Sequence, residues 1–259
     1  MTTVPIAKAD FIEGMAKGMA VLESFDTERQ RLNATLAAQR TGITRAAARR
    51  HLLTLAELGY LETDGSHYWL SARVLRLAGS YMATSRLPRT LQPTLNRLAA
   101  QTQAAFSAVV RDGDECVIVA RSAGVAEPVR HLAYGLHLGA RLPAHATSTG
   151  RVLLASLPKA DFAAWLKGRE LARITPQTEV NATRFKALIE QVRQADHCLA
   201  RDGHELGIHA LAVPLRNMQG QTLAALNVVG TAEQLSDAAV QRQWLPLLLE
   251  AARELRPLL

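Results

Sequence analysis

The sequence predicts an α+β chain: an N-terminal winged helix-turn-helix, a helical linker, and a C-terminal sensor-like unit of antiparallel strands with helices on one side. Three observations carry this. Two short helical patterns, 32–42 and 45–58, meet at a Thr-Gly-Ile turn, and the second is arginine-rich. Two β-prone runs then flank Asp64-Gly65, a tight-turn signal. From about Ala104 onward, strand-like runs around further turn pairs alternate with helical stretches.

In chain order, "MAKGMAVLESF" (15–25) places Met15, Met19, Leu22 and Phe25 near helical spacing. In "RLNATLAAQRTG", Leu32, Leu36 and Ala37 repeat helically, Asn33 can cap, and Gly42 stops the segment. Thr44 is a good N-cap for "RAAARRHLLTLAEL", and Gly59 ends that helix. Ala48, Leu52, Leu55 and Leu58 share one face, while Arg45, Arg49 and Arg50 fall towards the other. "YLETDGSHYWLS" (60–71) is the wing, with Ser66 and His67 at its tip. The stretch 72–103 is mostly helical, and Pro88 and Pro93 are expected to break it into a linker and a new helix. The expected domains are therefore 1–78, a linker over 79–92, and 93–259.

Beyond the linker, "AAFSAVVRDGDECVIVARS" reads as a hairpin around Asp112-Gly113, and 128–143 as a strand interrupted by glycines. Helices are expected from about Ser148, near 158–168 and 183–196. Strands return over 197–231 with a turn at "NMQGQ", and a capped C-terminal helix contains Pro246.

Composition narrows the function. Hydrophobic residues make up 48% of 259, enough for a real core in one large or two modest domains. The net charge is +7, and Arg29 through Ala56 holds six arginines and no acid, a block that attracts a polyanion. Beside a helix-turn-helix it points to double-stranded DNA, with Thr44, Arg45, Arg49, Arg50, Ser66 and His67 as candidate contacts. Cys116 and Cys198 are far apart and form no C-x-x-C pair, so no structural zinc is expected. His204 and His209, five apart in a strand-like segment, are expected on opposite faces, which disfavours a metal pair. No metal and no cofactor are expected. No window approaches the roughly 20 apolar residues of a membrane span, and the N-terminus lacks a signal-peptide core, so a cytoplasmic protein without membrane partners is expected.

The stretch "RLPAHATSTGRVLLASL" (141–157) admits two chemistries. His145 near Ser148 suggests nucleophilic catalysis, but the G-x-S-x-G elbow is missing and no acid lies nearby to orient the ring. Hydroxyls at a helix start instead suit an anion, because backbone N–H groups are free there and the helix dipole favours negative charge. Simple capping competes with that role at each hydroxyl. No enzymatic activity is expected. The alternatives are an enzyme acting on an aromatic acid with an appended DNA-binding domain, and a winged-helix module for protein contacts.

"FIEGMAKGMAVLESF", "TGITRAAARRHLLTLAELGYL", "LPAHATSTGRVLLASLP" and "HELGIHALAVPLRNMQGQTLAALNV" occur in that order. With them the chain resembles the IclR family of bacterial transcription regulators over nearly its full length. It is most similar to the branch controlling aromatic-acid catabolism by the β-ketoadipate route. The family often has Ser-Thr where this chain has Ala46-Ala47, which removes two hydroxyl contacts to phosphate. The resemblance implies that the C-terminal unit is a GAF-like effector-binding domain, that the protein is a homodimer or homotetramer, and that it controls an aromatic-acid catabolic operon. It implies an effector cavity with Leu142, His145, Thr147, Ser148 and Gly150 on one wall. Glu205, His209 and Ala210 would lie opposite, with Asn227 on the next strand. Arg130 or Arg141 would pair with a carboxylate. The expected effector is a small aromatic or dicarboxylic acid, with protocatechuate, 4-hydroxybenzoate, terephthalate and β-ketoadipate as candidates.

Overall fold

The computed structural model describes residues 6–26, 29–122 and 137–259. The chain divides into two compact units, Met1–Thr84 and Ser85–Leu259.

The first unit holds α1 (Glu13–Glu23), α2 (Ala34–Thr41), α3 (Arg45–Glu57), a hairpin of β1 (Leu61–Thr63) and β2 (Tyr68–Leu70), and α4 (Leu75–Thr84). Its caps follow from side-chain chemistry. Asn33 accepts from the N–H groups of Thr35 and Leu36, both at 3.0 Å, and the Thr44 hydroxyl accepts from Ala47 N–H at 3.2 Å. Gly42 closes α2 at φ +69° and Gly59 follows α3 at φ +76°, where a Cβ would be strained. Val21, Leu32, Ala48, Leu52, Leu61 and Tyr68 form the core.

Three expectations are corrected here. Phe25 is buried but lies beyond α1, which ends at Glu23. Leu58 is exposed, since it caps α3 and the helical period that buries Ala48 and Leu52 ends there. Leu32 is buried but not helical. It exchanges N–H···O bonds with Tyr68 at 2.8 and 3.0 Å, which ties the start of α2 to the wing.

In the second unit α5 (Arg86–Thr102) runs through both prolines. Pro88 sits in the first turn, where no donor is needed. Pro93 lies inside the helix and does not end it. Leu91, Leu95 and Leu98 are fully buried, each contributing roughly 1.5–3 kcal/mol, which together outweighs the ~3 kcal/mol an interior proline costs.

The sheet comprises β3 (Ala105–Asp112), β4 (Glu115–Arg121), β5 (Arg141–Pro143), β6 (Cys198–Arg201), β7 (Ile208–Arg216) and β8 (Thr222–Thr231). Its order is β5-β4-β3-β8-β7-β6, antiparallel throughout. The expected hairpins are present at Gly113 and Gly220, each with positive φ. The expected strand over 128–143 is described only at Arg141–Pro143, and its earlier part lies outside the described residues.

Helices cover both faces, not one. On the first face α5 packs with a C-terminal helical run, burying Phe106, Leu211, Val213, Leu226, Trp244 and Leu248. On the second lie α6 (Ser148–Ala155), α7 (Lys159–Leu166) and α8 (Ala182–Ala195), over Val109, Ile118, Ala212 and Ala225. The reason is legible afterwards. Leu211–Leu215 is buried at every residue, the mark of a strand covered on both sides rather than one. The C-terminal run is α9 (Asp237–Ala239), a π turn over Val240–Trp244, and α10 (Leu245–Leu255), with Pro246 in the first turn of α10. Ser236 precedes it without a side-chain cap bond. Both cysteines are buried free thiols, and burial pushes Cys116 up to about 12. No described helix is long and apolar enough to cross a membrane.

Candidate functional site

Two surfaces carry the candidate chemistry, one in each unit. In the first, α3 follows the α2 turn and exposes Arg45, Arg49 and Arg50 while it buries Ala48 and Leu52. Thr44 uses its hydroxyl as the cap, so its contact chemistry is already partly committed. At the wing tip one carboxylate oxygen of Asp64 accepts from Ser66 N–H, Ser66 Oγ and His67 N–H, at 2.9, 2.9 and 2.8 Å. Those bonds hold Asp64 down to about 2. Sequence reasoning missed Arg31, whose guanidinium lies over the Trp69 ring at 4.2 Å and reaches Asp64 at 3.5 Å. A cation just before one helix and an aromatic on the wing meet only in three dimensions.

The second unit contains a cavity of about 110 Å³. It lies on the α6 side of the sheet. Its floor is Ser107 and Val109 of β3, Ile118 of β4, Ala210 of β7, and Asn227 and Val229 of β8. One wall is Leu142 with the start of α6, and the other is the 203–205 turn with Ile208. α6 begins at Ser148. Thr147 caps it, accepting from Gly150 N–H at 3.1 Å. Ser148 is therefore not the cap. Its hydroxyl is buried and has no hydrogen-bond partner among the described residues. The same holds for Asn227 Oδ1 and His204 Nδ1. Buried polar atoms are nearly always paired, so three orphans on one cavity leave hydrogen-bonding capacity unused there. Burial holds the His204 pKa below the ordinary histidine value.

Of the residues expected to bind an effector, Leu142, Thr147, Ser148, Glu205, Ala210 and Asn227 line this cavity. His145 is turned away. It is buried, with its Nε2–H donating to the Ala172 carbonyl at 2.8 Å and its ring edge-on to Phe185. Burial holds its pKa below the ordinary value. Gly150 serves packing, since a Cβ there would lie 2.1 Å from the Ala144 carbonyl oxygen. His209 and Arg141 are off the lining because strand neighbours alternate, and Ala210 and Leu142 hold the inward positions. His209 instead approaches Asp202 at 3.7 Å, and Arg141 pairs with Glu115 at 3.6 Å. Arg130 lies outside the described residues.

Sequence reasoning also missed Ser107, Gly203 and His204. A signal existed for one. Ser107 interrupts the apolar run "AAFSAVV" as Asn227 interrupts "AALNVV", and the two are cross-strand partners.

Comparison with known proteins covers both units. Residues 14–65 match the IclR helix-turn-helix domain, and residues 79–256 match the bacterial transcriptional regulator IclR C-terminal domain. The chain is 47% identical over 254 residues to the Pca operon regulatory protein of Acinetobacter baylyi, covering 98% of this chain and 91% of that one. It is 48% identical over 254 residues to the p-hydroxybenzoate hydroxylase transcriptional activator of the same organism, covering 98% and 94%. Among solved structures, a double mutant of the PobR transcription factor inducer binding domain from Acinetobacter, in complex with 3-hydroxybenzoic acid, is 44% identical. It covers 66% of this chain and 98% of that one, with a TM-score of 0.61. The chain belongs to the IclR family of bacterial transcriptional regulators, and its N-terminal helix-turn-helix is the family's DNA-binding domain.

Proposed function

We propose that this regulator controls an operon for aromatic-acid catabolism and is itself controlled by a small aromatic acid bound in the cavity of its second unit. One observation carries the reading: Ser148 Oγ, Asn227 Oδ1 and His204 Nδ1 are unpaired among the described residues and line the same cavity. Apolar Val109, Ile118, Leu142 and Val229 suit the ring. The Ser148 hydroxyl can donate to a carboxylate, and the Asn227 Oδ1 can accept from a ring hydroxyl. The two Acinetobacter relatives and the hydroxybenzoate-bound domain support the class of ligand.

At the DNA end, Arg45, Arg49 and Arg50 enter the major groove or neutralise its phosphates, and Ser66 and His67 of the wing touch the backbone. One short helix reads few base pairs, so the working form is a dimer or tetramer on a repeated site. Phe11, Ile12, Met15, Leu75, Leu77 and Tyr81, all exposed apolar residues of the first unit, supply surface for self-association. The protein acts in the cytoplasm without catalysing a reaction. Ser148 and His145 are not hydrogen-bonded to each other, so the serine has no activating base in this pair.

The test is titration calorimetry of the full chain with 4-hydroxybenzoate, 3-hydroxybenzoate and protocatechuate, followed by a promoter mobility shift with and without the acid that binds. Saturable binding to wild type, lost in Asn227→Ala, is expected. Binding unchanged in that variant, or no effect on the promoter complex, overturns the reading.

A further inference from the structure

Arg151 stands out among the charged groups of the second unit. It is 6% exposed, on a helix whose eight residues are all buried, so its head cannot reach solvent along its own stem. Its Nε–H donates to the His145 carbonyl at 2.9 Å, and its charge lies near enough to the buried Cys198 thiol to oppose the rise in that thiol's pKa. No carboxylate pairs with it among the described residues. A buried cation without a partner charge is expensive, and one neutral carbonyl acceptor compensates it only in part.

Its position relative to the cavity is close. A Cβ placed on Gly203 would lie 3.4 Å from Arg151 Nη2 and 2.6 Å from the Ala146 carbonyl oxygen. Ala146 and Gly203 both line the cavity. The guanidinium therefore sits directly behind that wall. The described lining contains no lysine or arginine, and its one carboxylate, Glu205, repels an anion.

We infer that Arg151 is the counter-charge for the effector's carboxylate, acting through the thin Ala146–Gly203 wall rather than by contact. This rests on the aromatic-acid reading of the cavity and names how that site selects an anion. In a buried, low-dielectric setting a unit charge several ångströms away still discriminates between an anion and a neutral molecule of the same shape. Ser148 and Asn227 would orient the bound acid, and Arg151 would make the site prefer the ionised form. Gly203 is needed because any side chain there would part the wall from the cation.

The experiment measures Kd for 4-hydroxybenzoate and for neutral 4-hydroxybenzamide on wild type, Arg151→Met and Arg151→Lys. Wild type is expected to favour the acid. Arg151→Met should weaken acid binding by roughly tenfold, the scale of one screened charge, and leave the amide within twofold. Arg151→Lys should restore most of the preference. A methionine variant that weakens both probes equally, or leaves the acid unaffected, overturns the inference and leaves the aromatic-acid reading standing. Wild type binding neither probe overturns both. If Arg151→Met does not fold, the acid-to-amide ratio in Arg151→Gln, which keeps hydrogen-bonding groups, decides the same question.

Discussion

At the scale of the residue, neighbouring hydroxyls do different work. Thr147 caps α6 and Ser148 faces the cavity unpaired. Thr147→Ala should therefore destabilise the second unit by ~1 kcal/mol, the usual cost of a lost cap. Ser148→Ala should shift stability by less than ~1 kcal/mol, because it removes a buried hydroxyl that has no bond to lose. The same change should weaken acid binding roughly tenfold, as expected for a hydrogen bond to a charged group. Thermal melts with and without ligand separate the two outcomes; equal effects of both variants on melting would contradict the assignment. Burial, the leading cause, holds His145 and His204 below the ordinary 6.5. The unfolded chain therefore binds protons more readily than the folded one as pH falls through 6.5. Stability is complete above that value and declines below it. The melting temperature should drop on acidification, and His145→Gln should flatten the slope in a melt series across pH. The 145–149 cluster was visible in the sequence, but its division of labour was not. Which hydroxyl caps depends on where the helix starts, to the residue.

At the scale of the element, α5 shows local propensity yielding to burial. Two prolines in one segment read as a break, yet the apolar stripe of Leu91, Leu95 and Leu98 holds one helix across Pro93. Pro93 is exposed. Pro93→Ala should raise stability by about 2 kcal/mol, the ~3 kcal/mol helical penalty of proline less up to ~1 kcal/mol for its stiffening of the unfolded chain. Chemical denaturation of the full chain measures this, and a destabilised variant would mean that the proline is itself required for the packing. The turns were more legible. Asn33, Thr44, Gly42, Gly59, Gly113 and Gly220 all act where their chemistry suggests, because caps and positive φ are decided by the few residues around them. α1 was legible as a helix, but its buried side was not. Its sequence is apolar on more than one side, and helical spacing alone cannot say which side meets a partner.

At the scale of the whole molecule, the uneven charge has a measurable consequence. The arginines concentrated between Arg29 and Ala56 lie in the DNA-binding domain. Promoter affinity should fall steeply with salt, with a log–log slope of roughly −0.9 for each phosphate neutralised. Arg49→Ala should make that slope shallower by about one unit if Arg49 meets a phosphate. If Arg49 reads a base, the slope should hold while one position of the site loses specificity. Fluorescence anisotropy across a salt series distinguishes the two.

The sequence by itself determined the order of elements, the basic recognition helix, the wing, and the family, because each rests on short-range pattern. It also placed Leu142, Ser148, Ala210 and Asn227 near one another by resemblance. Tertiary structure alone decided that helices cover both faces of the sheet, and that His145 and Gly150 serve packing while Ser107 and His204 face the cavity. It also decided that Arg151 stands behind the cavity wall. The physical reason is common to these cases. Which face of a strand or helix meets a ligand depends on what packs against its other side, and those partners lie dozens of residues away along the chain.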